Sequence, residues 1–206
     1  MKYNEQIRIV IVSYIVGILI NLVLQRIIGS FPKLEALISS IKVISVLTLW
    51  WLFYFKLGWK IPLLNKILYR VNLNGTWFGT YKSLNMSQEQ FEGEISLRIN
   101  QDFLAISIIS FTEKYQNYSY SEELKYDDKS DTYGIVYVYS QKEYNIFDSS
   151  QRNGTSEMTL KKVGECLFLD GVFWTIHGTH GHINVKRISK KCIDTFEQAK
   201  SFHSKI

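Results

Sequence analysis

The sequence predicts a membrane-anchored all-β protein: a two-helix N-terminal transmembrane hairpin, a compact eight-stranded antiparallel up-and-down β-barrel, and a C-terminal helix. Three observations predict it. Two apolar runs, Ile9 to Leu24 and about Leu37 to Phe55, precede Gly58. From Gly75 onward the apolar residues recur with a period of two, the repeat of a strand with one buried face. Both prolines, Pro32 and Pro62, lie before that region, so none of its ladders loses an N–H donor. The chain divides into a hairpin over 1–57, an amphipathic linker over 58–72, a ligand-binding barrel over 73–189 and a helix over 190–206.

A spanning helix needs about 20 apolar residues, with a usable range of ~17–25. Both runs lie near the lower edge, so a buried helical hairpin of a soluble protein is the alternative. Lys2 and Arg8 flank the first run, and Lys56, Lys60, Lys66 and Arg70 follow the second. Only Arg26, Lys33 and Lys42 lie in or near the connection. This bias puts both termini and the barrel in the cytoplasm, with Lys42 snorkelling to the far interface. The run Trp50-Trp51-Leu52-Phe53-Tyr54-Phe55 reads as an interfacial aromatic belt. A signal peptide is not expected, because Gln25, Arg26 and the Ile27-Ile28 pair stand where a small-residue cleavage site would fall.

In the linker, Leu63, Leu64, Ile67, Leu68 and Val71 share one helical face, and Pro62 suits a first turn. Lys66 and Arg70 share the opposite face. Such a helix lies on the membrane or packs under the barrel. No acid occurs between Lys56 and Lys82. That cluster suits an anionic leaflet, at about 1 kcal/mol per cation, and does not point to a DNA or RNA polymer.

Eight strands are predicted, at 75–84, 91–100, 103–112, 115–125, 132–141, 154–162, 165–174 and 180–188. Phe91, Gly93, Ile95, Leu97 and Ile99 alternate with Glu92, Glu94, Ser96, Arg98 and Asn100. Turn signals at Asp127–Asp131, Arg152-Asn153-Gly154 and Val163-Gly164-Glu165 separate the runs. Closure removes exposed edges and leaves an interior filled by side chains or one small ligand. In the tail, Ile193, Phe196, Ala199 and Phe202 form a stripe suited to closing or bracing one end.

The first strand carries Gly75-Thr76-Trp77 and the last carries Lys186-Arg187. This pairing resembles the lipocalin-type signature, in which a cation stacks over the Trp and closes the floor, at ~0.5–2 kcal/mol. Trp77 as plain core is the alternative. Tyr81, Tyr133, Tyr137 and Tyr139 are read as inward, Trp77 and Trp174 supply large planes, and Arg187 is the best-placed interior cation. These rings either stack on a ligand or simply fill a closed barrel. Arg98 is read as outward, beside Glu92 and Glu94.

The only cysteines, Cys166 and Cys192, form no secreted-type framework. His177, His180 and His182 are the only metal-like group, with only Asp170 near. A zinc site needs three or four ligands, so they read as turn, strand-surface or rim residues and no metal is expected. No phosphate-cradling Gly loop, Ser elbow or carboxylate pair occurs. An enzyme is not expected, nor any cofactor.

Two apolar N-terminal runs, a basic linker, Leu73-Asn74-Gly75-Thr76-Trp77-Phe78-Gly79 and a compact barrel together resemble one bacterial family over nearly the whole chain. It is the SMODS-associating, two-transmembrane, β-strand-rich effector family, CD-NTase-associated protein 15, of the CBASS antiphage system. The resemblance implies a cytoplasmic barrel that binds a cyclic dinucleotide or oligonucleotide made by a partner nucleotide synthase. It implies a multi-pass protein of the inner membrane that becomes a homo-oligomer on activation and disrupts the lipid bilayer. The ligand-binding residues expected are Trp77, Tyr81, Tyr137, Tyr139, Trp174 and Arg187. Tyr is amphipathic, so a Tyr-lined cavity suits a polar heterocycle. Other readings are a tethered lipocalin-like binder of an apolar ligand and a structural membrane protein whose barrel only mediates assembly.

Overall fold

The computed structural model describes residues 3–30, 43–64, 68, 70–127, 129–143 and 152–205. The chain forms two compact units, Met1–Asn72 with Asp102–Leu104, and Leu73–Gln101 with Ala105–Ile206.

In the first unit the first apolar run folds within helix α1, Tyr3–Ser30. Its 21-residue segment Ile7–Ile27 is long and apolar enough to cross a membrane. Helix α2, Val43–Lys56, holds the second half of the other run. Lys42, residues 37–41 and the connection with Pro32 and Lys33 lie outside the described residues. Within the unit, the Trp51 indole N–H donates to Ser13 Oγ at 2.9 Å, and the Ser13 hydroxyl donates to the Ile9 carbonyl at 2.7 Å.

The linker departs from its predicted helix. After a 3-10 turn, Gly58–Lys60, the described residues 61–63, 68 and 70–72 are not helical, and Leu64 is in 3-10 conformation. Residues 65–67 and 69, with the expected Ile67 and Lys66 positions, lie outside the described residues. The reason is a core built from Tyr54, Trp59, Leu68 and Phe103. The Tyr54 hydroxyl lies 3.2 Å from the Leu64 carbonyl and accepts from the Leu68 N–H at 3.3 Å. A side-chain hydroxyl thus satisfies backbone groups that a helix would have paired internally.

The second unit is a closed barrel in the order β1 to β8, every neighbour antiparallel. The strands are β1 Gly75–Leu84, β2 Gln90–Gln101, β3 Ile106–Phe111, β4 Tyr115–Asp127, β5 Thr132–Glu143, β6 Arg152–Val163, β7 Cys166–Thr175 and β8 His180–Ser189. β1 pairs with β8 from Thr76↔Ser189 to Leu84↔His180, which closes the wall. β3 begins three residues later than predicted, because Phe103 packs in the core of the first unit. β3 and β4 pair over only three residues, Ile109↔Tyr118 to Phe111↔Gln116. β4 then carries a bulge between Ser119 and Ser121.

Each residue of the entry motif has a structural task. Asn74 exchanges two 2.8 Å hydrogen bonds with the backbone of Gln101. Gly75 has φ +123°, and a Cβ there would meet the Ser189 carbonyl oxygen at 2.0 Å, so only glycine fits. Thr76 Oγ1 donates to the Lys191 carbonyl at 2.8 Å and accepts from the Ile193 N–H at 2.9 Å. Trp77 is fully buried, and its indole N–H donates to the Leu73 carbonyl at 3.0 Å.

Those Thr76 bonds hold the tail extended as far as Thr195, so helix α3 covers only Phe196–His203 of the predicted 190–206. Its buried face, Phe196 and Ala199, packs on outward-facing Phe78 and Phe111. The helix therefore braces the outer wall over β1 to β3 instead of closing an end. Lys200–Glu94 and Arg98–Asp194 ion pairs flank it. Arg98 is outward, as its alternation predicts.

Candidate ligand-binding site

Strand register fixes which side chains face the interior, since a period of two leaves one face per parity. The interior has two chemically distinct halves. Where β1 begins and β8 ends it is mainly apolar. Trp77, Leu97, Ile99, Leu169 and Val185 are all buried there. Arg187 pairs with Trp77 in register, and its guanidinium lies 5.8 Å from the Trp77 ring centroid. Partial burial lowers the Arg187 pKa from its ordinary value.

The other half, where β1 ends and β8 begins, is aromatic and polar. Tyr81 meets Phe173 edge-on with centroids 6.4 Å apart. Tyr137 and Tyr139 lie 5.8 Å apart, both buried. Phe173 pairs with Ser156, and Ser156 with Tyr137, which links the two ring pairs across β5 to β7. Glycines make the room: a Cβ on Gly93 would lie 2.9 Å from the Tyr81 ring, and one on Gly154 would lie 2.5 Å from Tyr139. Burial pushes the Tyr137 hydroxyl up to about 12, against a smaller lowering from its hydrogen bond to Ser156. Tyr139 is raised by burial and by Tyr137. Both phenols are therefore neutral at ordinary pH, able to donate a hydrogen bond and to present an uncharged ring.

The structure thus separates the six predicted ligand residues. Tyr81, Tyr137 and Tyr139 come together at the polar end. Trp77 and Arg187 form the floor at the other. Trp174 does not face the interior, contrary to expectation. It pairs with Thr155 and His180, on the outward parity, and is 45% exposed. β7 has apolar residues on both faces, which hides its parity. Asp170, four residues earlier, shares the face of Trp174 and pairs with outward Asn184.

Trp174 instead lines a groove of about 370 Å³ on the outer faces of β7, β8, β1 and β2, with Lys82, Gln90, Val172, His180 and His182. His180 and His182 share this outer face. His182 Nε2 lies 3.1 Å from Asp170, whose carboxyl is held below its usual range chiefly by its hydrogen bond from Lys161. Lys82 is paired with Glu92 at 3.4 Å. Among the described residues, no three His, Cys, Asp or Glu side chains converge on a point that could hold a metal ion.

Sequence reasoning missed the polar side chains on β4. Asn117 and Ser119 face inward, opposite Gln141 and Tyr139. The bulge then shifts the parity, so Glu122, opposite Tyr137, also faces inward. The readable signal was a phase break: Asn117 and Ser119 keep odd parity, whereas Leu124 and Tyr126 keep even. The Ile108 N–H donates to Ser119 Oγ at 2.8 Å, and the Ser119 hydroxyl donates to Glu122 Oε1. Asn117 donates through Nδ2 to Ser110 Oγ at 2.8 Å, while its buried Oδ1 has no partner among the described residues. Thr175 Oγ1, at the same end, is also buried without a partner among the described residues. Flat aromatic faces beside unfilled polar atoms suit a planar, polar heterocycle.

The family model described as Cap15, cyclic dinucleotide receptor domain, matches residues 70–187. The match spans more than half of the 206 residues and enters all eight strands. The chain belongs to this family. No curated protein matches the chain.

Proposed function

We propose that this chain, as a Cap15 receptor, is a CBASS effector whose barrel takes up a cyclic dinucleotide at its Tyr81–Tyr137–Tyr139 end. One observation carries the choice of end. The half of the interior around Trp77 is lined mainly by buried apolar side chains, whereas the tyrosine half holds planar rings beside polar atoms that have no partner among the described residues. Base stacking on such rings contributes about 1–3 kcal/mol per base. An apolar ligand suits this polar end less well. The chain acts as a receptor and not as an enzyme, and it takes its ligand from a cyclic-nucleotide synthase.

The N-terminal segment is the effector arm. Ile7–Ile27 is one apolar helix of sufficient length, and α2, Val43–Lys56, belongs to the second span. Both termini and the barrel are cytoplasmic, at the bacterial inner membrane. Ligand binding gathers several chains, concentrates their spans and disrupts the bilayer, since multivalency turns weak helix association into strong assembly.

Titration calorimetry of the full chain in detergent against a panel of cyclic dinucleotides and trinucleotides tests the receptor reading. Saturable binding of at least one is expected. A folded protein that binds none of them overturns it. Dye release from vesicles carrying the full chain tests the effector arm. Release is expected only after ligand is added, and ligand binding without release would reduce the helices to an anchor.

A further inference from the structure

Recognition of a purine requires groups complementary to its Watson–Crick edge. Guanine offers two adjacent donors there, N1–H and the N2 amine. Adenine offers one donor, its N6 amine, beside an acceptor, N1. A carboxylate has acceptors only. It matches guanine with two hydrogen bonds and repels the N1 lone pair of adenine.

The tyrosine end of the barrel holds such a carboxylate. Glu122 projects from β4 into the interior, opposite Tyr137, because the bulge at Ser119/Ser121 puts it on the inward parity. It is half-buried. Its position is set by a relay in which the Ile108 N–H holds Ser119 and the Ser119 hydroxyl holds Glu122 Oε1. Among the described residues, Oε2 has no hydrogen-bond partner, and no cation pairs with this carboxylate. Five acids outside the barrel, Asp170, Glu92, Glu94, Glu157 and Asp194, each pair with a Lys or Arg. A second acceptor on the same strand, the buried Oδ1 of Asn117, is also unfilled. The open polar groups of β4 are acceptors and call for a ligand rich in N–H donors. Phosphate, which carries only acceptors at neutral pH, does not satisfy them. Access is consistent with this role. β3 and β4 hydrogen-bond over only three residues, so the stretch of wall holding Ser119 and Glu122 has a ladder on the β5 side alone.

We infer that Glu122 reads the base: the barrel selects a guanine-bearing cyclic dinucleotide, with the Glu122 carboxylate accepting from guanine N1–H and N2–H. The inference rests on the receptor reading above and adds the identity of the base. Ser119 is a positioning residue that aims the carboxylate. A charge-assisted hydrogen bond lost from a buried site corresponds to roughly a 10–100-fold loss of affinity.

The experiment is calorimetry of the full chain in detergent with cyclic di-GMP and cyclic di-AMP, on the native protein, Glu122→Gln and Glu122→Asp, each checked for folding by its melting transition. The native protein should prefer cyclic di-GMP by at least about tenfold. Glu122→Gln should lose about 10–100-fold toward cyclic di-GMP while binding cyclic di-AMP as well or better, because its amide supplies the donor that adenine N1 needs. Glu122→Asp keeps the charge but withdraws it. It should retain the guanine preference with weaker binding, and it carries the test if the Gln variant fails to fold. Equal affinity of the native protein for the two ligands, a preference for cyclic di-AMP, or an equal loss toward both ligands in Glu122→Gln would overturn the assignment. Failure of every cyclic dinucleotide to bind would instead overturn the receptor reading itself.

Discussion

The guanidinium of Arg187 lies over the indole of Trp77, 5.8 Å from the ring centroid, and joins the last strand of the barrel to the first. The two residues are register partners, so the contact forms only when β8 closes on β1. Below it, the indole N–H is anchored on the Leu73 carbonyl, and Leu73 is itself buried. Closure, floor and entry segment are therefore one structural unit. Trp77→Ala should destabilise the chain by about 3–5 kcal/mol, the usual loss for a buried aromatic. Arg187→Ala should lose less, the stacking on Trp77 accounting for about 0.5–2 kcal/mol of its loss. Chemical denaturation of the full chain in detergent compares them. Equal losses would mean that Arg187 does more than cover the ring.

Gly154 is a site of close approach. A Cβ there would lie 2.5 Å from the Tyr139 ring and 2.8 Å from the Trp174 carbonyl oxygen, which is backbone and cannot swing away. Gly154→Ala should cost about 1–3 kcal/mol, as overpacking does, and should displace Tyr139. Melting curves and ligand titration of the variant check both. A variant as stable as the native protein, with unaltered binding, would show that Tyr139 has room to move.

The buried phenols make stability depend on alkaline pH. Tyrosines of the unfolded chain ionise near pH 10, whereas burial pushes Tyr137 to about 12 and raises Tyr139 as well. The folded state therefore holds these protons more tightly. Its advantage is complete below pH 10 and is lost as the pH climbs from 10 toward 12. Tyrosinate absorbance should show late-titrating groups that coincide with the loss of structure, and Tyr137→Phe should remove part of that alkaline dependence. A native protein whose tyrosines all titrate together near pH 10 while it stays folded would contradict the burial of these rings.

Helix α3 should be removable from the wall without opening the barrel, since its cluster lies on the outside of β1 to β3, with Ile188 of β8 beside it. Ala199→Asp places a carboxylate at a fully buried position between helix and wall. It should release residues 196–203 to proteolysis while strands β4 to β7 keep their protection against hydrogen exchange. Thr195→Ala removes the cap that accepts from the Gln198 N–H and should cost about 1 kcal/mol. Loss of protection throughout the barrel in Ala199→Asp would mean that the helix is part of the core.

The strand count, the inward face of β5 and the pairing of Trp77 with Arg187 were all legible in the chain. Alternation is local: Tyr133, Ile135, Tyr137 and Tyr139 declare their common face within seven residues, and the register agrees. The outward placement of Arg98, beside Glu94 on the wall, was legible for the same reason. Trp174 was not, because both faces of β7 carry apolar side chains and Asp170 alone marks the outer one.

What the sequence determined by itself is periodicity: where helix gives way to strand, and which residues share a parity within one strand. What only the tertiary structure decided is which ends those parities share. The bulge in β4 turned Glu122 inward, Phe103 left β3 for the core of the first unit, and α3 settled on the wall. Closure put Tyr81 and Arg187, both on inward parities, at opposite ends of one interior. The physical reason is range. A two-residue repeat is set by neighbours along the chain, whereas bulges, strand offsets and the meeting of β1 with β8 minimise exposed backbone and apolar surface over the whole sheet at once, among residues more than a hundred positions apart.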